Sequence, residues 1–234
     1  MRGTVAAAAV VVLSVSLSAC APSLVERAIA ARGGPLRSFS REVDAKVYRG
    51  VPGDWRWRSV FLVPESYRWT LRTYGEDQTY SYDGKTVIAF LGDAPIPAPA
   101  SAVSSFRTHA RWFAVTSLDV LLDRQRVTWS EVGRGALPGD AAWGIRARYL
   151  DSGEAYTLFF DERNLLVGAE GAVSIAPFGE GEMRAKFGEF RRVGDYVVPW
   201  AASYTLDGAP LFDERVLVFV PDDPSVTPES FRVK

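Results

Sequence analysis

From Trp55 to Leu71 the chain alternates between apolar and polar residues. Trp55, Trp57, Phe61 and Val63 fall on one side, with Arg56 and Arg58 on the other. Tyr67, Trp69 and Leu71 share a face opposite Arg68, Thr70 and Arg72. A period of two predicts strands of a sheet with one wet side and one apolar side. The same reading predicts strands over Phe39–Tyr48, Val87–Leu91, from Val127, Trp143–Tyr149, Ala155–Phe160, Asn164–Ile175, Glu182–Phe190, Tyr196–Leu206 and Leu211–Val220. Turns are expected at Pro64-Glu65-Ser66, Gly75-Glu76-Asp77, Asp161-Glu162-Arg163, Gly179-Glu180-Gly181, Val193-Gly194-Asp195 and Asp207-Gly208. Asp83-Gly84 is the strongest hairpin signal and suits a type I′ turn. Such short connections join antiparallel neighbours.

Two segments break the pattern. Ser23 precedes an apolar stretch and has Glu26 three residues on, which predicts a capped helix over Leu24–Ala31, stopped by Gly33-Gly34-Pro35. Its apolar face would be Leu24, Ala28 and Ala31. After a stiff, proline-rich loop holding Pro95, Pro97 and Pro99, apolar residues recur at helical spacing from Ser101 to Asp123: Val103, Phe106, Ala110, Phe113, Leu118, Leu121 and Leu122. Thr116-Ser117 would split this stretch in two. The tail beyond Pro221 is rich in turns, and Phe231 is placed to fold back. The predicted class is mainly β with a helical insertion (α+β). It is a curved antiparallel half-barrel of about 11 strands under a helical lid at about residues 101–123, because so large a sheet must curl or close.

The first residues carry a different message. Met1-Arg2 is followed by an apolar run from Val5 to Leu17 and then Leu17-Ser18-Ala19-Cys20. A charged start, a short apolar core and small residues before a cut site are marks of a secretory signal. Leu-Ser-Ala-Cys is similar to the bacterial lipobox, whose cysteine is acylated and becomes the first residue. The expected division is a signal peptide over 1–19 and one domain over 20–234, anchored through lipid on Cys20. Two or three acyl chains on one residue anchor a protein stably.

Composition narrows the chemistry. The chain has 234 residues, one cysteine and one histidine. No disulfide, thiolate metal cluster or redox pair can form within it. Its 27 basic and 28 acidic residues nearly balance, with no basic run of the kind that binds nucleic acid. His109 lies between arginines, away from any nucleophile, and reads as a polar contact on a helix surface. Acidic pairs such as Asp161-Glu162 and Asp213-Glu214 point to opposite sides of a strand, so no metal site is expected. No cofactor is implied, and an enzyme is disfavoured. The 7 Trp, 9 Tyr and 13 Phe must fill a core or line a cavity. The candidate apolar cavity is formed by Trp57, Phe61, Trp69, Leu71, Trp143, Tyr149, Leu158, Val198 and Trp200 from the strands, with Phe106 and Phe113 from the helical insertion.

The order of elements resembles the bacterial lipoprotein-carrier family, the Lol-type carriers and outer-membrane receptors. Phe61-Leu62-Val63-Pro64 to Tyr67-Arg68-Trp69, then Tyr82-Asp83-Gly84-Lys85-Thr86-Val87, is similar to the family's strand-Pro-strand and Asp-Gly-Lys-Thr hairpin. Tyr156–Asp161, Phe187–Phe190, Val198-Pro199 and Asp207-Gly208 fit the same pattern. The resemblance implies an incomplete barrel with a helical lid over a cavity that holds acyl chains, without enzymatic chemistry. One departure is Val63, where the soluble carriers commonly have an Arg that helps to hold the lid. With an anchor as well, an anchored acceptor, or an anchored binder of some other lipid, fits better than a diffusing shuttle. Residue 21 is Ala, not the Asp that tends to retain lipoproteins in the inner membrane of the family's hosts, so the resemblance implies the outer membrane, facing the periplasm. The partners implied are lipid or lipoprotein acyl chains, the membrane and another envelope protein. The rival expectation is a scaffold lipoprotein with a packed interior that binds a protein partner.

Overall fold

The computed structural model describes residues 22–232 apart from 74, 99, 176 and 177. The lipobox and Cys20 lie outside the described residues.

Thirteen strands form one antiparallel sheet that does not close. In chain order they are β1 (Ser38–Val47), β2 (Gly53–Leu62), β3 (Ser66–Thr73), β4 (Glu76–Tyr82), β5 (Val87–Leu91), β6 (Ala94–Ile96), β7 (Val127–Glu131), β8 (Trp143–Tyr149), β9 (Ala155–Phe160), β10 (Leu166–Ile175), β11 (Gly179–Gly188), then, after a separate hairpin of β12 (Arg191–Val193) and β13 (Tyr196–Val198), β14 (Ala201–Leu206) and β15 (Ala209–Pro221). The spatial order is β6-β5-β4-β3-β2-β1-β15-β14-β11-β10-β9-β8-β7. The first and last strands thus pair at mid-sheet, and β6 and β7 are the two edges. The chain between those edges is helix α2 (Ala100–Thr116) followed by a 3₁₀ turn at Asp119–Leu122. A segment that leaves one edge and returns at the other must cross the face between them. Accordingly, α2 touches β3, β4 and β5 on one wing and β9 and β10 on the other.

The curl has local causes. β15 carries an extra residue against each neighbour, Leu217 opposite β1 and Leu211 opposite β14, and β10 carries Val167 opposite β9. Bulges bend a strand and raise its twist. The one at Leu217 also changes which side chains face inward: Val216 lies opposite Val43, yet Phe219 lies opposite Arg41, so Phe219 joins the concave face.

Helix α1 (Leu24–Arg32) starts as the sequence predicts, with the reciprocal Ser23–Glu26 hydrogen bonds of a capping box. It ends at Gly33, whose φ is 116°. A Cβ there would lie 2.1 Å from the Asp195 carbonyl oxygen, so only glycine fits. The buried stripe is Val25, Ala28, Ile29 and Arg32, rotated from the predicted one because the helix packs on the β12–β13 hairpin. Helix α2 breaks where expected. The Thr116 and Ser117 hydroxyls donate back to the Trp112 and Phe113 carbonyls at 2.8 and 2.6 Å, and Leu118 takes a φ of 69°.

Four expectations change. The strand over Tyr196–Leu206 is two strands, interrupted at Pro199-Trp200, since proline cannot donate to the ladder. Residues 94–96 pair as a short edge strand where a loop was expected. Glycines 179 and 181 start β11 rather than forming a turn. The Asp83-Gly84 turn is a four-residue loop in which the Asp83 carboxylate accepts from the Lys85 and Thr86 amides, and of the pair only Gly84 has positive φ. The two-residue turn with both central residues at positive φ, as type I′ requires, is at Asp207-Gly208. Phe231 is fully buried, and its carbonyl accepts from Ser81.

Candidate functional site

Alternation along β1, β2 and β3 delivers Phe39, Arg41 and Val43, then Trp57, Ser59 and Phe61, then Tyr67, Trp69 and Leu71 to the concave face. Helical spacing on α2 brings Phe106, His109, Ala110 and Phe113 down to meet them. Phe113 stacks on Tyr67 at 4.9 Å between centroids, Phe106 on Tyr80 at 5.1 Å, and His109 lies 5.5 Å from Tyr67.

Two neighbouring spaces remain under the helix. The smaller, about 30 Å³, is bounded by Trp57, Tyr67, Trp69, Phe106, His109 and Phe113, with Phe178, Met183 and Phe212 behind them. The larger, about 110 Å³, lies toward the C-terminal end of α2. Ala28, Leu36 and Phe39 form one side, Leu165, Leu166 and Phe187 another, and Val198, Pro199 and Phe219 the rest. Arg41, Trp112, Phe113 and Tyr204 stand between the two and border both. An apolar cavity of about 150 Å³ accepts a molecule the size of benzene. Neither space is large enough for an extended acyl chain.

The charges on these walls are paired. Arg41 donates to both oxygens of Glu214 at 3.0 Å each, and the Tyr204 hydroxyl donates to the same carboxylate at 3.1 Å. Burial disfavours the Arg41 cation, but Glu214 outweighs it, and Arg41 stays charged. Burial, with Glu214 beside it, also keeps Tyr204 protonated. Phe113 covers the guanidinium at 4.9 Å. At the far end of the larger space Arg32 pairs with Asp119 at 2.8 Å and donates to the Ser117 carbonyl, which ties α1 to the end of α2. His109 is the exception. Among the described residues its ring makes aromatic contacts and no hydrogen bond, and burial, with Arg41 nearby, pushes its pKa down to about 4, so the imidazole is neutral.

A second charged group sits where α2 meets the other wing. Arg111 is 3% exposed and reaches Asp151 at 2.6 Å, Glu154 at 2.8 Å and Glu65 at 3.5 Å, with its guanidinium 4.3 Å above the Tyr149 ring. Burial raises the pKa of Glu65 against the pull of Arg111 and Arg126. Glu65 directly follows Pro64, so this ion cluster fastens the helix to the β2–β3 corner and to the β8–β9 turn.

Of the residues proposed from sequence, Trp57, Trp69, Phe106, Phe113 and Val198 border the two spaces. Phe61 and Leu71 face the same way but are packed, Phe61 between Phe39 and Phe113. Tyr149 and Leu158 are buried in the opposite wing and border neither space. Trp143 stacks flat on Phe160 at 3.9 Å and donates to Asn164 at 3.1 Å. Trp200 lies under Arg191 at 4.9 Å. Val103, the first apolar residue of the predicted helical stripe, is 39% exposed on the first turn of α2. His109, read as a surface contact, points inward instead, because it shares the Phe106–Phe113 stripe. Arg41 and Arg111 were not proposed as site residues from the sequence, and Glu214, read there only as half of a non-converging acidic pair, is buried against Arg41. Period two in fact places Arg41 with Phe39 and Val43, and Glu214 with Phe212 and Val216.

No family model and no curated protein sequence matches this chain. Its likeness is to solved structures. A LolA superfamily protein from Nitrosomonas europaea superposes with a TM-score of 0.60 at 10% identity, over 90% of this chain and 96% of that one. A DUF1329 family protein from Desulfovibrio piger superposes with a TM-score of 0.55 at 10% identity, over 89% of this chain and 95% of that one. At such identity the likeness is one of fold. The fold is Lol-type, as the sequence resemblance implied.

Proposed function

We propose that this chain is a lipid-anchored protein of the bacterial envelope that binds acyl chains, of lipid or of lipoprotein, between α2 and the concave sheet, and serves lipoprotein sorting. The observation that carries the reading is the helix strung from edge to edge of an open sheet, with rings and residual space beneath it. Apolar clefts with few polar groups suit hydrocarbon chains. The present spaces are small, so a chain enters only as α2 lifts or its side chains swing aside. The anchor is Cys20 after cleavage of residues 1–19, and the membrane is the outer one, facing the periplasm. This part rests on Leu17-Ser18-Ala19-Cys20 and Ala21. Nothing in the arrangement of His109, Arg41 and Glu214 sets a nucleophile beside a base, which supports binding without catalysis.

The deciding experiment is native mass spectrometry of the protein with Cys20→Ser, purified from an envelope fraction. Co-purified lipid, or mass added on incubation with a long-chain acyl ligand, supports the reading. A protein that stays empty in both conditions overturns it. The small volumes favour one second reading, a scaffold with a packed interior that binds an envelope protein, and the empty result would leave that one standing.

A further inference from the structure

The walls of the space under α2 are apolar except for a few groups, and those groups differ in what they offer a ligand. Arg41 and Glu214 cancel each other through two hydrogen bonds of 3.0 Å, and Arg32 and Asp119 do the same at 2.8 Å. Tyr204 spends its proton on Glu214. The Arg41 Nε is a buried donor without a partner among the described residues, on a guanidinium whose charge Glu214 already cancels. His109 remains. It borders the smaller space among Trp57, Trp69 and Phe106 and carries no hydrogen bond among the described residues. A neutral imidazole offers one N–H and one acceptor nitrogen. It can meet a carbonyl oxygen, but it cannot compensate a carboxylate. An anion brought here would be an unpaired buried charge unless it broke the Arg41–Glu214 pair, and breaking such a pair strands its partner.

We propose that the site selects acyl chains carried on a neutral carbonyl, ester or amide, over free fatty-acid anions, and that His109 donates the hydrogen bond that recognises this carbonyl. This rests on the acyl-binding reading above and adds the chemical class of the ligand's polar end. The occupant is thus an acyl group still attached to a larger molecule, with its carbonyl near the middle of α2.

Trp57 and Trp69 border the site, so a brominated chain reports its own arrival by quenching their emission. The probes are 9,10-dibromostearic acid and its methyl ester, each delivered from cyclodextrin at pH 8 to the purified protein. The ester should half-saturate the quench at a concentration at least about tenfold below the acid, since one hydrogen bond is worth about that factor and the avoided buried charge adds to it. His109→Phe keeps a ring in place and should erase most of that preference by weakening the ester alone, while His109→Gln, which retains a donor, should restore part of it. Acid binding as tightly as ester to the wild type overturns the inference and leaves acyl binding intact. So does an unchanged ester titration in His109→Phe. Absence of quenching by either probe overturns both the inference and the reading beneath it. The wild-type comparison stands even if a variant fails to fold.

Discussion

Helix α2 meets the two wings of the sheet with opposite chemistry. Toward β8, β9 and β10 it is fastened. Arg111 is held by Asp151 and Glu154 and lies on Tyr149, with Glu65 of the β2–β3 corner farther off at 3.5 Å, and Trp112 packs edge-on against Tyr156 at 6.1 Å. Beyond that corner, along β2, β3 and β4, it rests on rings, with residual space between them. Rings part and close again at modest cost, whereas a buried cation resists leaving its carboxylates. One flank therefore acts as the fixed side of the lid and the other as the side that gives way. The same contrast separates two tryptophans that looked alike in sequence: Trp143 is stacked into the fixed wing, and Trp69 borders the space.

This contrast can be broken most severely at Arg111. Arg111→Ala leaves Glu65, 8% exposed, with only the half-exposed Arg126 at 3.6 Å, and should lower stability by about 3 kcal/mol, read as a fall in the urea midpoint. A shift no larger than that of an ordinary surface substitution would mean that the cluster does not fasten the helix. Next comes the tryptophan pair. Trp143→Ala should cost about 3 kcal/mol, since its ring is stacked on Phe160 though only partly buried. Trp69→Ala should cost clearly less and weaken acyl-probe binding, which Trp143→Ala leaves to the folded fraction. Equal midpoints and equal probe affinities for the two variants would remove the distinction between the wings.

A smaller effect comes from acid. His109 is the only histidine, and its folded pKa of about 4 lies below the ordinary value of 6.5 because of burial and then Arg41. Between those values the unfolded chain holds a proton that the folded chain refuses. Stability is therefore complete above about pH 6.5 and is lost as the pH falls toward 4. Between pH 7 and pH 5 the loss should be about 2 kcal/mol. His109→Gln should flatten that slope, and an unaltered slope in the variant would place the imidazole in water rather than under the helix.

The sequence carried the fold where the signals are local. Alternation at Trp55–Phe61 and Tyr67–Leu71, the Ser23–Glu26 box, the stop at Gly33 and the break at Thr116-Ser117 all depend on near neighbours, and all stand in the structure. What escaped is set by distant partners. Arg41 meets Glu214 across 173 residues, and Arg32 meets Asp119 across 87. No spacing rule couples such positions, although each was in phase with an inward face. The bulge at Leu217, which turns Phe219 inward, likewise exists only through the pairing of β15 with β1. The site was half legible for the same reason: periodicity identifies a face, but it does not say whether a ring on that face is packed, like Phe61, or borders space, like Trp69.

The central claim is that an acyl chain lodges beneath α2 on its yielding flank. Hydrogen exchange of the protein with and without dibromostearate methyl ester tests it most directly. Lids come from the less stable end of a structure, so without ligand the amides of Ala100–Thr116 should exchange faster than those of β14. Saturating ester should slow exchange in α2 and in β2 and β3, and leave β8 and β9 unchanged. Protection of α2 that is the same with and without saturating ester would contradict the account and mark the helix as core.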